Sequence, residues 1–249
     1  MSLADDRIER ERAYHNERFR DESRLAQGKY YRAIRDGAEV FTNRVIEKAH
    51  GGDVLEYGCG NASQALTLAP LARSVCGIDI SDVAIADARA AAAGQGNTRF
   101  EVMNAEALAF ADASFDLVFG RGIVHHLDLE KCFGEVARVL RRSGTALFWE
   151  PLGHNVLLNG YRALTPSART PDEHPLLARD FDLARRYFDD VKTKFYGLTS
   201  LAAVPFGDGA VGDAVLKVSA GVDRALFRVP GLKWQAWYCM IELSAPRAS

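Results

Sequence analysis

The stretch that decides the fold spans residues 53–60 and reads Asp53-Val54-Leu55-Glu56-Tyr57-Gly58-Cys59-Gly60. Its first half is an apolar run typical of a buried parallel strand, and its glycines let the backbone turn tightly against a ligand. The alanine-rich residues 62–73 predict a following helix, whose first N–H groups favour a carboxylate or a phosphate. A small anionic or zwitterionic cofactor is therefore expected at this loop.

The bulk composition is that of one globular α/β domain. The chain has 249 residues, 48% of them hydrophobic, and a formal net charge of -2. The chain has no excess of basic residues, so its charge does not indicate nucleic-acid binding and favours a small or neutral substrate. The N-terminus is charged and no run approaches the roughly 18 apolar residues of a spanning helix, so no signal peptide or membrane segment is expected.

The cysteines are scattered through the chain, at Cys59, Cys76, Cys132 and Cys239. They have no CxxC spacing and no nearby histidine partners, which argues against a zinc site and against a disulfide framework. Reduced thiols in a cytoplasmic protein, without a bound metal, are the expectation.

Beyond the glycine loop, apolar runs alternate with helical patterns. Strands are predicted at 75–80, 100–103, 115–119, 144–150 and 191–196, and helices at 83–93, 129–141 and 181–188. The first strands are too apolar to face water, which calls for a doubly wound parallel sheet covered on both faces. Ligands of such sheets bind outside the carboxyl ends of the strands.

The segments that flank this core differ in pattern. Residues 1–50 predict an N-terminal helical arm, which is either a solvated appendage or a cover whose aromatic side chains, Tyr14 and Tyr30 among them, close over a cofactor. The core domain is expected to occupy residues 51–249.

Two insertions are predicted within that domain. Residues 151–180 form a long proline-containing connection, which indicates a lid. Residues 198–234 are mostly apolar and form either a helical cap or the hydrophobic wall of a substrate pocket. A final strand is predicted over residues 234–243.

Polar features follow four successive strands, at the edge where a ligand is expected. They are the Glu56-x-Gly58-x-Gly60 loop, Asp79, the Asn104-Ala105-Glu106 turn, and Gly120-Arg121-Gly122 before His125-His126. An acid about twenty residues beyond a glycine loop is placed to accept hydrogen bonds from both ribose hydroxyls of a nucleoside.

This ordered set resembles the class I S-adenosylmethionine-dependent methyltransferases, specifically the small-molecule branch whose first motif reads Glu-x-Gly-x-Gly. The resemblance covers about residues 52–150. It implies a Rossmann-like seven-stranded sheet of order 3-2-1-4-5-7-6 with strand 7 antiparallel. It also implies S-adenosylmethionine as cofactor and a small-molecule acceptor, and the apolar residues 198–234 suggest that this acceptor is partly hydrophobic.

The resemblance implies roles for individual positions along the first two strands. Gly58 and Gly60 would leave room for the cofactor, with Glu56 near its methionine ammonium. Asp79 would bind the ribose hydroxyls, and Ile80 would pack on the adenine.

Positions after the next two strands would complete the cofactor site. Asn104, Ala105 and Glu106 would lie beside the base, where the Asn104 amide can hold its edge. Gly120 and Arg121 would lie near the methionine end, Gly120 through its carbonyl. Arg121 is alternatively a surface charge.

Methyl transfer from a sulfonium is an in-line displacement, so alignment alone can supply up to about 7–11 kcal/mol in favourable intramolecular models. A base is needed only where the acceptor must lose a proton. His126, His125 and His154 are the candidates because the unperturbed imidazole pKa lies near neutrality. The alternative for the pair is that one histidine turns inward and holds its loop.

Two other functions fit parts of the pattern. An NAD-dependent oxidoreductase would have a third small glycine-like residue where Ser63 stands, and Glu56 suits an ammonium better than a pyrophosphate. A catalytically idle S-adenosylmethionine-binding regulatory subunit would keep the same cofactor residues, so only activity separates it from an enzyme. The arm could also exchange between the protomers of a homodimer.

Overall fold

One mixed sheet organises the chain. The computed structural model describes residues 3–20, 31–60, 64–165 and 172–247. The strands are β1 (Asp53–Tyr57), β2 (Ser74–Asp79), β3 (Thr98–Val102), β4 (Phe115–Arg121), β5 (Leu140–Pro151), β6 (Phe188–Tyr196) and β7 (Tyr238–Pro246). Their order is β3-β2-β1-β4-β5-β7-β6, and β7 runs antiparallel to both of its neighbours. The predicted topology is confirmed.

Helices cover the two faces of this sheet. Within the described residues the α-helices are α1 (Leu3–Arg20), α2 (Arg35–Ala49), α3 (Ala65–Leu68), α4 (Asp82–Ala91), α5 (Leu129–Val139), α6 (Val156–Leu164), α7 (Ala178–Tyr187) and α8 (Ala210–Leu226). Short 3₁₀ segments occupy Arg32–Ile34, Val124–His126, Thr199–Phe206 and Leu232–Gln235. None of these helices is long and apolar enough to cross a bilayer.

Successive strand residues point to opposite faces and build two cores. On one face Tyr57, Val118 and Phe148 pack with side chains of α5 and α7. On the other face Phe119 and Trp149 pack with side chains of α2 and α4. The predicted arm is therefore heterogeneous, because α2 belongs to a core layer whereas α1 lies over the strand ends.

The helix predicted at residues 62–73 is much shorter in the structure. Its described part covers only Ala65–Leu68, because Pro70 has no backbone N–H and cannot continue the helical hydrogen bonds. The chain then turns, and Arg73 donates its N–H to the carbonyl of Gly52 as β2 begins.

Two strand boundaries also differ from prediction. β5 starts at Leu140, inside the predicted helix, because Leu140 pairs with Phe115 and the side chain of Arg141 is held by Asp53 and Asp116. β7 starts at Tyr238, after a 3₁₀ turn in which the carbonyl of Gln235 accepts a hydrogen bond from the lid.

Candidate active site

The glycine loop follows β1 at the carboxyl edge of the sheet. Gly58 and Gly60 have φ of 66° and 57°, a left-handed conformation that L side chains rarely adopt. A Cβ on Gly58 would also lie 3.0 Å from the side chain of Ile123. Both glycines line the cavity described below, so they give a ligand access to the backbone.

Glu56 precedes the loop and is almost completely buried. Its carboxylate accepts hydrogen bonds from the backbone N–H groups of Gln64 (3.2 Å) and Ala65 (2.8 Å), at the start of α3. The sequence predicted that these N–H groups would favour an anionic ligand. That prediction is wrong for these two N–H groups, because the protein's own carboxylate occupies them.

Asp79 ends β2 and is held by backbone on both sides. Its two oxygens accept from Gly60 N and Ser81 N, each at 2.9 Å, and the Ser81 hydroxyl caps α4 by accepting from Ala84 N at 3.1 Å. Asp79 and the following Ile80 both line the cavity. Since a carboxylate offers about four lone-pair positions, Asp79 can accept further hydrogen bonds from a ligand.

The turn after β3 is held by hydrogen bonds of Asn104 and Tyr57. Asn104 uses its side-chain oxygen to accept from Glu106 N at 2.9 Å, and the carbonyl of Ala105 accepts from the Tyr57 hydroxyl at 2.6 Å. Glu106 binds the guanidinium of Arg7 and accepts from Asp128 N at 2.8 Å. All three turn residues line the cavity, and Glu106 also joins α1 to the sheet.

Gly120 and Arg121 lie at the end of β4, and only Arg121 reaches the wall of the cavity. A Cβ on Gly120 would lie 2.7 Å from Ile123 and 2.8 Å from the carbonyl oxygen of Tyr57, and Gly120 is not a lining residue. The structure thus places it beneath the cavity, and the neighbouring Gly122 lines the wall instead. Arg121 does line the cavity, with its guanidinium 4.9 Å from the centre of the Phe41 ring.

His125 is turned inward. Its Nδ1 lies 2.7 Å from Glu150, a fully buried carboxylate that also accepts from Ile123 N and Val124 N at 3.0 Å each. Glu150 therefore fixes the whole 124–126 turn. His125 is not a lining residue, and its contact with Glu150 fits the alternative of a histidine that turns inward and holds its loop.

His126 faces the cavity, with its ring centre 4.2 Å from that of His125. Burial lowers the pKa of His126, and the carboxylate of Glu11, with Oε2 3.3 Å from Nδ1, partly opposes that shift. The imidazole is therefore neutral near pH 7, which is the form able to accept a proton.

The structure does not bring His154 to the cavity. Its Nε2 accepts a hydrogen bond from Ala178 N at 2.9 Å, and its ring lies against Trp234. It connects the lid to α7. None of the described lining residues comes from 198–234 either, so the alternative of a hydrophobic pocket wall there is not supported.

α1 supplies lining residues that the sequence did not predict, namely Arg7, Ile8, Glu11 and His15. The signal was their spacing, since positions 7, 11 and 15 share one helix face. Predicted Tyr14 instead contacts His15, with ring centres 5.5 Å apart, and predicted Tyr30 lies outside the described residues.

Hydrogen bonds of Arg7, Arg10 and Asn16 hold α1 over the sheet edge. Arg7 donates to the carbonyl of His126 at 2.9 Å in addition to binding Glu106. Arg10 contacts Asp172 of the lid through bonds of 3.0 to 3.1 Å. Asn16 contacts Asp82 and Ser81 at 2.8 and 2.6 Å.

The cavity between α1 and the strand ends has a volume of about 520 Å³, within the range of small-molecule sites. Its charged wall consists of Glu11, Glu56, Asp79, Glu106, Arg7 and Arg121. Carboxylates outnumber guanidiniums, so the wall favours a ligand with positive charge. Cys59 also lines it, and burial raises the pKa of its thiol.

The fold and this strand-end site define an α/β domain with a cavity of ligand size at the carboxyl ends of its parallel strands. Residues 55–148 match the family model described as a methyltransferase domain. Over these residues the chain is similar to the core of the class I S-adenosylmethionine-dependent methyltransferase domains.

Similar proteins agree with this assignment. The chain is 34% identical over 134 residues to the uncharacterized methyltransferase YcgJ of Bacillus subtilis, covering 53% of this chain and 50% of that one. It is 35% identical over 116 residues to a protein of Mycobacterium tuberculosis named as a probable S-adenosylmethionine-dependent methyltransferase, covering 45% and 40%. The chain thus spans half or less of the length of these relatives.

A solved structure shares the fold at lower identity. It is phosphoethanolamine N-methyltransferase 2 of Haemonchus contortus in complex with phosphomonomethylethanolamine and S-adenosylhomocysteine. The TM-score is 0.62 at 16% identity, covering 85% of this chain and 53% of that one. Likeness at this identity shows the fold alone.

Proposed function

We propose that this protein binds S-adenosylmethionine in the cavity and transfers its methyl group to a small, partly hydrophobic molecule. The observation that carries the proposal is that one cavity joins the glycine loop, Asp79 and the turn after β3. The name of the M. tuberculosis relative and the S-adenosylhomocysteine bound to the H. contortus enzyme support the choice of cofactor.

The residues present fit such a ligand. Asp79 is fixed by two backbone N–H groups and retains capacity for the ribose hydroxyls, while Ile80 and Met103 offer apolar contact to the base. The excess of carboxylates favours the ammonium and the sulfonium of the cofactor. When bound, S-adenosylmethionine supplies an activated methyl group on its sulfonium.

The chain's own residues align the reactants and can receive a proton. α1 covers the strand ends and restricts water, which strengthens electrostatic interactions inside the cavity. His126 is the candidate base for an acceptor that must lose a proton, since it lines the cavity and is neutral near pH 7. Glu150 and His125 orient the turn that carries it.

The oxidoreductase alternative loses support. A dinucleotide fold directs the first helical N–H groups at a pyrophosphate, whereas here Gln64 N and Ala65 N donate to Glu56. Ser63 lies outside the described residues. The wall of carboxylates would also repel a pyrophosphate.

The acceptor and the location belong to the same proposal. α6 of the lid has no buried residue and exposes Val156, Leu157 and Leu164 by 75%, 85% and 83%, which suits contact with a hydrophobic acceptor. All four cysteines are free and buried, in keeping with a cytoplasmic protein.

Calorimetry with S-adenosylmethionine and S-adenosylhomocysteine tests the cofactor. Asp79→Asn is expected to weaken binding about 10-fold or more, since hydrogen bonds to a charged group contribute about 1.5–3 kcal/mol. Asp87→Asn, an exposed carboxylate on α4, is the matched control and should bind like the wild type. No measurable binding of either ligand would end the proposal.

An acceptor screen read by mass spectrometry tests the reaction. Candidate hydrophobic hydroxyl, amine and carbon acceptors are incubated with S-adenosylmethionine, and a product gains one methyl group. A chain that binds the cofactor yet methylates only polar sugars or amines would contradict the hydrophobic acceptor while leaving the cofactor assignment intact.

A further inference from the structure

Three metal-ligating side chains meet between α1 and the 124–126 turn. They are Glu11, His15 and His126, whose ligand atoms all lie within 4.8 Å of one another. Glu11 and His126 are buried, and His15 is half-buried. All three line the cavity, so an ion held by them would be open to a bound substrate.

The spacing of the donor atoms fits a small divalent ion. Oε2 of Glu11 lies 3.4 Å from Nε2 of His15 and 3.3 Å from Nδ1 of His126. Zinc bonds to nitrogen and oxygen are about 2.0–2.2 Å long, so two donors of a tetrahedral site lie about 3.3–3.5 Å apart. Charge-assisted hydrogen bonds are shorter, about 2.7–2.9 Å. The two distances to Glu11 therefore match donors around an ion better than a charge-assisted pair, and the two imidazole donors lie within 4.8 Å of each other.

The three ligands are held in place by other contacts. Glu11 and His15 are four residues apart on α1 and therefore project from the same helix face. Arg7, one turn before Glu11, donates to the carbonyl of His126 and fixes the helix against the turn. The ring of His126 contacts the ring of His125, and Glu150 fixes the orientation of His125. The imidazole ligand is therefore held in place by outer partners.

A second group of side chains that could bind a metal ion lies nearby and consists of His125, His126 and Glu173. It fits less well, because Glu173 is 3.9 Å from Nε2 of His125 and neither of these two residues lines the cavity. The group with Glu11 is therefore the one that can combine a metal with a ligand in the cavity.

We propose that Glu11, His15 and His126 bind one divalent transition-metal ion, with zinc as the first candidate. Two imidazoles and one carboxylate leave a fourth position, which is the ligand pattern of catalytic zinc sites. The ion would fasten α1 to the sheet edge and offer a position for an oxygen of the acceptor. Metal binding itself does not depend on the proposed function, whereas the contact with the acceptor rests on it. In the metal-bound chain His126 is a ligand, so His126 is the candidate base of the metal-free chain only.

The test uses the full chain, free of affinity tag and stripped of metal, without S-adenosylmethionine. Calorimetry with Zn²⁺ and the visible absorption of added Co²⁺ report binding directly. One ion per chain is expected. His15→Ala and Glu11→Gln should each weaken Zn²⁺ binding about 100-fold or more, exceeding the 10–100-fold loss caused by changes in outer partners.

Matched controls come from the same helix and the same residue type. Glu9→Gln removes an exposed carboxylate of α1, and His50→Ala removes an exposed histidine that belongs to neither group of candidate ligands; both variants should bind Zn²⁺ like the wild type. Zn²⁺ should also slow hydrogen exchange in α1 of the wild type but not of His15→Ala. Circular dichroism confirms that each variant is folded.

Three results would overturn the proposal. They are failure of the wild type to bind Zn²⁺, wild-type binding by both folded Glu11→Gln and His15→Ala, and loss of binding in Glu173→Gln alone. Calorimetry with S-adenosylmethionine on the metal-free chain is a separate measurement, so failure of the cofactor proposal remains distinguishable from failure of the metal site.

Discussion

The floor of the cavity and its cover are built in different ways. The floor consists of the ends of β1, β2 and β4, whose relative positions follow from the register of a parallel sheet, in which Tyr57 pairs with both Ile78 and Gly120. The cover is α1, held by side chains such as Arg7 and Asn16 that contact residues 65 to 119 positions away. A floor set by backbone register should tolerate surface changes, whereas a cover set by a few side chains should open when one is lost.

The largest effect on stability is expected at Glu150, which holds the turn that follows β4. Glu150→Ala removes the acceptor for Ile123 N, Val124 N and His125 Nδ1 in a fully buried position. Each unsatisfied buried donor costs about 1–3 kcal/mol, so the free energy of unfolding should fall by about 3 kcal/mol or more in a urea titration.

Glu130→Ala, an exposed residue of α5, is the control and should change stability by no more than about 0.5 kcal/mol. Equal stability of the two variants would mean that the 124–126 turn does not depend on Glu150.

The next effect separates backbone strain from contact with the site. Gly58→Ala places a side chain at a φ of 66° and 3.0 Å from Ile123, whereas Gly94→Ala meets the same kind of strain, at a φ of 94°, in open space. Both should lose about 1–2 kcal/mol of stability from the left-handed backbone. Only Gly58→Ala should also weaken S-adenosylmethionine binding in calorimetry. Equal cofactor affinity in both variants would contradict the role of the loop.

The smallest effect on stability is expected in the cover. Arg7→Ala removes a charged partner of buried Glu106 and the donor to the His126 carbonyl, so hydrogen exchange in α1 should accelerate while exchange in the sheet stays unchanged. Arg12→Ala removes an exposed pair with Glu9, which contributes about 0–1 kcal/mol, and serves as control. Acceleration throughout the sheet in Arg7→Ala would show that cover and floor are not separate.

The floor could be predicted because its signals are local in sequence. Short apolar runs that end in a glycine pair or in Asp79 fix both the strands and the edge at which their ends meet. The predicted sheet order is confirmed, including antiparallel β7. The role of Glu56 was less visible, because its hydrogen bonds to Gln64 N and Ala65 N depend on where α3 begins.

The sequence left the cover as one of two alternatives for the arm, and its contacts could not be predicted for a physical reason. A stretch as rich in Arg and Glu as α1 has the composition of a solvated helix, and its partners Glu106, His126 and Asp172 lie about 100 or more residues along the chain. Periodicity reports which face of a helix is apolar, not which distant carboxylate an arginine meets. The same holds for His154, whose backbone partner Ala178 belongs to α7.

Hydrogen exchange of the wild type with and without S-adenosylhomocysteine tests the central claim most directly, namely that the cofactor lies between floor and cover. Slower exchange is expected in both α1 and the strand ends that carry Gly58, Asp79 and Glu106, with no change at β6. Protection confined to another surface, or none at all under saturating ligand, would contradict the account.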